Sequence, residues 1–128
     1  MIFVDTNVVM YAVGGEHPLR DQARLFFEEC VVRRERLATS AEVLQELLHA
    51  YLPVNRLETL DAALMLAEAR IDVVWPIEPE DARFARLLVE RYAELGARGL
   101  LHLACCKRRD IEEIKTFDRA LAAAFRRP

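Results

Sequence analysis

Short apolar runs alternate along the chain with longer stretches of helical periodicity. Ile2-Phe3-Val4 is apolar and β-prone and stops at Asp5, the pattern of a short buried strand. Ala23, Phe26, Phe27, Cys30 and Val31 fall at i, i+3, i+4, i+7 and i+8, one face of an amphipathic helix. Leu37-Ala38-Thr39 is a second strand candidate. Thr39-Ser40-Ala41-Glu42 has the capping-box pattern and opens a helix through about Tyr51. Pro53 closes that helix, because proline cannot continue the hydrogen-bond ladder. Leu57, Leu60, Leu64 and Ala67 recur at spacings of three and four and predict a further helix.

The second half keeps this alternation. Ile71 to Trp75 is an apolar, β-branched run ended by Pro76. Pro79, followed by Glu80 and Asp81, suits the first turn of a helix, where acids face the positive end of the dipole. Ala85, Leu88, Tyr92 and Leu95 line one face of that helix, and Gly96 is its expected stop. Leu100, Leu101, Ala104 and Cys105 form the buried face of the next. Ile111 to Thr116 predicts a last strand, and Asp118 opens a final helix through Phe125. Strands alternating with one or two helices predict an α/β fold, with a mostly parallel central sheet flanked by helices on both faces. With no repeat or linker in 128 residues, one domain over 1–128 is expected.

Composition narrows the class. The chain is 53% hydrophobic and 30% charged with 4 Gly and 5 Pro, which excludes a disordered, fibrous or low-complexity segment. Cys105 and Cys106 are adjacent and no C-x-x-C occurs, so neither a disulfide framework nor a structural zinc site is expected. The opening MIFVDTNVV has no basic n-region and no long apolar run, so neither a signal peptide nor a membrane span is expected. Free thiols point to a reducing cytoplasm. The net charge of −3 and pI near 5.7 are far from those of a simple basic nucleic-acid binder. Contact with nucleic acid would use local patches: Arg33, Arg34 and Arg36; Lys107, Arg108 and Arg109; or Arg126 and Arg127. For any single patch the favoured reading is a solvated helix end that complements the macrodipole.

Open parallel sheets bind ligands at the carboxyl ends of their strands. Asp5 and Asp118 each lie just beyond a strand candidate. On neighbouring strands, two such carboxylates repel by several kcal/mol unless a cation joins them. Oxygen ligands of this kind suit Mg²⁺ or Mn²⁺. The plainer alternatives are an Asx turn or helix cap at Asp5-Thr6-Asn7 and a helix N-cap at Asp118. Glu46, flanked by apolar residues in mid-helix, either faces a polar site or lies on the solvated stripe, which the pattern slightly favours. Glu42 is explained by the capping box. His49 and His102 lack partners at ligand spacing and read as ordinary helix residues, and Cys105 and Cys106 read as core. No G-x-S-x-G is present, so a serine hydrolase has no support, and without G-x-G-x-x-G or a P-loop neither a nucleotide cofactor nor a Walker-type ATPase is expected.

Four segments, in order, resemble the motifs of the PIN domain family. Phe3-Val4-Asp5-Thr6-Asn7-Val8-Val9-Met10-Tyr11-Ala12 resembles its opening, and Val43-Leu44-Gln45-Glu46-Leu47-Leu48 its second motif. Ala97-Arg98-Gly99-Leu100-Leu101-His102-Leu103-Ala104 resembles the third, and Lys115-Thr116-Phe117-Asp118 the last. The resemblance spans the chain at the size of a VapC-type toxin. It implies a compact α/β/α fold, an acidic cluster holding Mg²⁺ or Mn²⁺, and hydrolysis of RNA phosphodiesters in tRNA or ribosomal RNA. It also implies a homodimer, and an antitoxin whose C-terminal segment blocks the site. Carried over by residue, the catalytic acids are Asp5, Glu46 and Asp118, with Asp5 and Asp118 on the metal and Asn7 and Thr116 in support. Gly99 departs from the pattern, standing where the family usually has Asp. The glycine is also odd locally, since it costs a helix about 1 kcal/mol relative to alanine. Three accounts are open: Glu42 or His102 replaces the lost ligand; the chain binds RNA or antitoxin without cutting; or the glycine is an engineered or selected change.

Overall fold

The first strand, β1 (Ile2–Val4), runs between β2 (Leu37–Ser40) and β4 (Glu113–Lys115), and β3 (Val73–Trp75) extends the sheet beyond β2. All three pairings are parallel, as the alternation of strands and helices predicts. The computed structural model describes residues 1–127. The expected domain of 1–128 extends to Pro128, which lies outside the described residues. Seven helices complete the described chain: α1 (Thr6–Val13), α2 (Pro18–Arg33), α3 (Ala41–Tyr51), α4 (Leu57–Arg70), α5 (Pro79–Leu88), α6 (Ala97–Arg108) and α7 (Arg119–Arg126). Among the described residues no helix is long and apolar enough to cross a membrane.

The central strand is buried on both faces, as a parallel sheet covered by helices requires. Ile2 and Val4 pack into a core built with α1, α2, α3 and α4. Phe3 points the other way, against Val43 and Cys106, with Trp75 and Ile114 beside them. A further cluster joins Leu88, Tyr92 and Leu95 to α6 and α7. Thr39 ties β2 to β1 by donating from its hydroxyl to the Val4 carbonyl at 2.8 Å.

Several boundaries depart from the sequence pattern. Of the two alternatives at Asp5-Thr6-Asn7 the helix cap holds: α1 starts at Thr6, and the Asp5 side chain caps it by accepting from the Thr6 N–H at 2.7 Å. The Thr39–Glu42 capping box does not form: Thr39 is turned to Val4, and the Ser40 hydroxyl has no partner among the described residues. The capping interaction occurs instead at α5, where the Glu78 N–H donates to Asp81 Oδ2 at 2.8 Å. Helix α5 ends at Leu88, short of Leu95, because the backbone closes into turns through Tyr92 and Leu95. Gly96 is the N-cap of α6 rather than a stop, in an extended conformation open to any residue. The strands are shorter than the apolar runs, β3 starting at Val73 and β4 covering only Glu113–Lys115. Val31, expected on the buried face of α2, is exposed near that helix's end.

Helix α6 is locked to α5 by one buried acid. Asp81 is fully buried and accepts from Arg108 Nη1 at 2.7 Å and Arg109 Nη1 at 2.8 Å. The Arg109 guanidinium also lies 5.2 Å from the centre of the Trp75 ring. Arg108 and Arg109 of the 107–109 patch are therefore engaged by Asp81, and Lys107 lies 5.8 Å from the centre of the Tyr92 ring. Burial alone would raise the Asp81 pKa, but the guanidinium bonds and the Glu78 N–H outweigh it and push it down to about 2. Since 3.8 is the usual value, the pairing contributes stability that is complete above about pH 4 and lost as the pH falls toward 2. The difference is worth about 2 kcal/mol. Asp81→Ala removes the buried acceptor that Arg108 and Arg109 share, leaving them Glu78, and is expected to destabilise the fold by about 2 kcal/mol. Urea unfolding at pH 7 and pH 3 checks this: the deficit of the variant should shrink at the lower pH.

Candidate metal centre at the carboxyl edge of the sheet

The register of β1 and β4 sets Val4 opposite Lys115, so Asp5 and Thr116 leave the sheet side by side. The Asp5 N–H donates to the Lys115 carbonyl at 3.0 Å and extends the pairing by one residue. Thr116 then uses its hydroxyl fully. It donates to Asp5 Oδ2 at 2.6 Å and accepts from the Asp118 N–H at 3.0 Å and from Asn7 Nδ2 at 3.3 Å. Asn7 accepts from the Phe117 N–H at 3.2 Å. Asn7 and Thr116 thus join the two strand ends and fix the direction of the Asp5 carboxylate.

Glu46 comes to this point from α3. Its buried face is Val43, Glu46, Leu47 and Tyr51, so the carboxylate occupies a core position and not the solvated stripe. Glu46 is 8% exposed, and the Thr6 hydroxyl donates to its Oε2. His102 comes from α6 and is 2% exposed, packed beside the Phe3 ring at 5.4 Å. Its Nε2 lies 2.9 Å from Glu46 Oε1 and 3.7 Å from Asp5 Oδ1. His102 is therefore part of the site and not an ordinary helix residue. Among the described residues, Asp5, Glu46 and His102 offer ligand atoms within 4.8 Å of one another.

The other candidates surround this trio. Asp118 is exposed and caps α7, its Oδ1 accepting from the Ala120 N–H at 2.9 Å and the Leu121 N–H at 3.1 Å. It lines the same cavity of ≈ 400 Å³ as Asp5, Glu46, Arg98, Gly99 and His102 but does not join the compact trio. Glu42 is half-buried in the first turn of α3. Gly99 is the third residue of α6, where a Cβ would meet Leu95 at 3.6 Å and Leu121 at 3.9 Å. These are ordinary contacts, so nothing steric requires a glycine. A larger cavity, ≈ 620 Å³, opens beside Asp110, Ile111 and Glu112, which precede β4, away from the edge where parallel sheets place their ligands.

The trio is electrostatically strained. Burial raises the Asp5 pKa, and His102 and Thr116 offset this only in part. Burial would also raise Glu46, but the facing His102, the Thr6 hydroxyl and the Arg98 charge outweigh it and hold Glu46 low. For His102, burial favours the neutral ring, yet the Glu46 and Asp5 carboxylates overcome it and raise the pKa. One imidazolium thus serves two carboxylates and serves Glu46 better. A divalent cation would satisfy both, and the chemistry open to such a centre is Lewis-acid activation of a phosphate ester and of water.

Two measurements test this description on metal-free protein. The His102 ring, followed by proton NMR, should titrate above the usual 6.5. Its contribution to stability is complete below 6.5 and is lost as the pH rises through the higher folded value, so His102→Gln should remove that alkaline decline. Gly99→Ala should stabilise α6 by up to about 1 kcal/mol in urea melts. A destabilised alanine variant would mean that the helix does need glycine there.

The family model described as PIN domain matches residues 2–126. Ribonuclease VapC23 of Mycobacterium tuberculosis is 59% identical over 126 residues, which cover 98% of this chain and 99% of that protein. Ribonuclease VapC13 of the same organism is 41% identical over 119 residues, with 93% and 91% covered. The crystal structure of Mycobacterium tuberculosis VapC20, described as a sarcin-ricin loop cleaving toxin, superposes with a TM-score of 0.78 at 18% identity, covering 97% of this chain and 95% of that one. VapBC2 from Rickettsia felis, bound to a DNA fragment from its promoter, superposes with a TM-score of 0.70 at 20% identity, covering 92% and 88%. The two superpositions carry the fold, and the family model and the sequence identities carry the membership: the chain belongs to the PIN domain family, among its VapC ribonuclease members.

Proposed function

We propose that the chain is the toxin of a toxin–antitoxin pair and acts as a divalent-metal-dependent endoribonuclease on tRNA or ribosomal RNA. One observation carries this reading. The buried carboxylates of Asp5 and Glu46 converge at the carboxyl edge of a parallel sheet, in a chain 59% identical over nearly its whole length to a protein named a ribonuclease. The donor set fits a cation, because the buried Asp5 and Glu46 carboxylates and His102 bring ligand atoms within 4.8 Å of one another. Asp5 and Glu46 would hold Mg²⁺ or Mn²⁺, with Asp118 reaching the same cavity. The bound ion would neutralise charge on the phosphate and lower the pKa of the attacking water.

The chain's own residues do the rest. Thr116 and Asn7 orient Asp5, and Thr6 orients Glu46. Arg98 lines the cavity and offers a forked donor for an RNA phosphate, which an acidic site cannot attract unaided. The exposed apolar side chains Leu48, Leu52, Val54 and Leu57, between α3 and α4, support a protein partner. The partners proposed are a second copy of the chain and an antitoxin whose C-terminal segment covers the cavity. Residues 1–128 would act as one unit, and the three buried free cysteines suit the cytoplasm.

Gly99 favours a second reading, a PIN-fold module that binds RNA or antitoxin without turnover. Cleavage of tRNA and ribosomal RNA by the chain, by Asp5→Asn and by Gly99→Asp, each with Mg²⁺, Mn²⁺ and chelator, separates the two. The chain should cut in a metal-dependent way, chelator and Asp5→Asn should stop it, and Gly99→Asp should increase the rate. Cleavage by Gly99→Asp alone would establish the binding module.

A further inference from the structure

We propose that His102 is itself a ligand of the metal centre, binding through Nε2, and that the resulting set of two carboxylates and one imidazole selects Mn²⁺ over Mg²⁺. This deepens the ribonuclease reading and rests on its metal site.

Position is the first argument. His102 lies one turn beyond Gly99 on the same face of α6, and both line the cavity. Long helical side chains lean back toward the helix N-terminus, so the imidazole reaches over the turn where Gly99 offers no side chain. The Phe3 ring at 5.4 Å limits how the imidazole can turn.

The second argument is an unmet need. His102 is 2% exposed, yet its Nδ1 has no hydrogen-bond partner among the described residues, and its Nε2 meets Glu46 Oε1 only as a close ion pair outside hydrogen-bond geometry. Buried polar atoms are rarely left so. Nε2 nevertheless faces Glu46 Oε1 at 2.9 Å and Asp5 Oδ1 at 3.7 Å. Neighbouring ligands held about 2.1 Å from a cation sit roughly 3 to 3.5 Å apart, so these separations bracket those of adjacent ligands on one ion.

Ligand chemistry then sets the choice of ion. Mg²⁺ demands oxygen ligands and keeps much of its water, whereas imidazole suits first-row transition metals. An acid in place of Gly99 would add an oxygen ligand and favour Mg²⁺. Its absence leaves imidazole to complete the trio, and Mn²⁺ accepts both donor types. Co²⁺, which binds such sites more tightly than Mn²⁺, is a spectroscopic probe of the same position.

The test uses binding and spectroscopy on chelator-treated protein. Calorimetry should show Mn²⁺ binding about tenfold or more tighter than Mg²⁺. The Co²⁺-loaded wild-type chain should show a paramagnetically shifted, exchangeable imidazole proton in its NMR spectrum. This signal needs no variant, so it stands even where a substitution at this buried position unfolds the chain. His102→Gln should weaken Mn²⁺ binding about tenfold and leave Mg²⁺ binding nearly unchanged. Gly99→Asp should tighten Mg²⁺ binding and narrow the preference. Equal affinities for the two ions, or no shifted imidazole proton, would overturn the proposal. If Asp5→Asn then abolishes metal binding while the wild-type spectrum shows no histidine ligand, the metal centre survives and only His102 falls. If Asp5→Asn binds metal as the wild type does, the centre itself is wrong, and the ribonuclease reading falls with it.

Discussion

Carboxylates buried close together must be neutralised, and much of this chain's architecture answers that constraint. Asp5 leaves the central strand at its buried end, and Glu46 projects from the buried face of α3. Both are largely buried and reach solvent only through the cavity that they line. The molecule meets the charge with a single imidazole from α6 and with hydroxyl donors from Thr6 and Thr116. This compensation is partial, since the Asp5 carboxyl remains raised above its ordinary value. A group left in that state within a cavity is poised to gain from a cation.

Asp81 shows what full compensation looks like in the same protein. It is as buried as any residue of the site, yet two guanidinium groups and a backbone N–H hold its pKa down to about 2. The contrast separates two uses of a buried acid. Asp81 has every acceptor position engaged and locks α5 to α6. Asp5 and Glu46 are held in place by hydroxyls, and the Asp5 charge is only partly met. The first arrangement fixes the helix that delivers His102, and the second leaves something for that helix to complete.

Much of this was legible in the residues, and the failures have physical causes. The abrupt step from Ile2-Phe3-Val4 to Asp5 marks a buried strand end, and the strand-end position of Asp118 is equally clear. The adjacency of β1 and β4, the condition for pairing those ends, is bound by no local pattern and follows from the sheet order. Helix α1 is legible only as the helix-cap alternative at Asp5-Thr6-Asn7, because Val8 and Val9 are β-branched and the segment has no clean polar face. Glu46 looked solvated because a charge amid apolar residues has no sign of facing in until a partner is known. His102 was hidden for the same reason, since its partners lie far away in sequence, on β1 and α3. The capping box failed because Thr39 had a stronger use, closing β2 onto β1.

Gly99 is best understood through charge rather than shape. The cavity would admit a side chain there, and the helix would gain from one. An additional carboxylate would leave His102 as the one close cation for three acids, with Arg98 acting only on the flank. Repulsion among them would then oppose folding until a metal arrived. With glycine, the metal-free site contains two carboxylates against one imidazolium, a smaller imbalance. The same loss removes a hard oxygen donor and leaves a nitrogen donor as the nearest remaining group. A single absent side chain therefore lowers the electrostatic cost of gathering these groups and, on the proposed metal site, would shift the donor set from oxygen toward nitrogen.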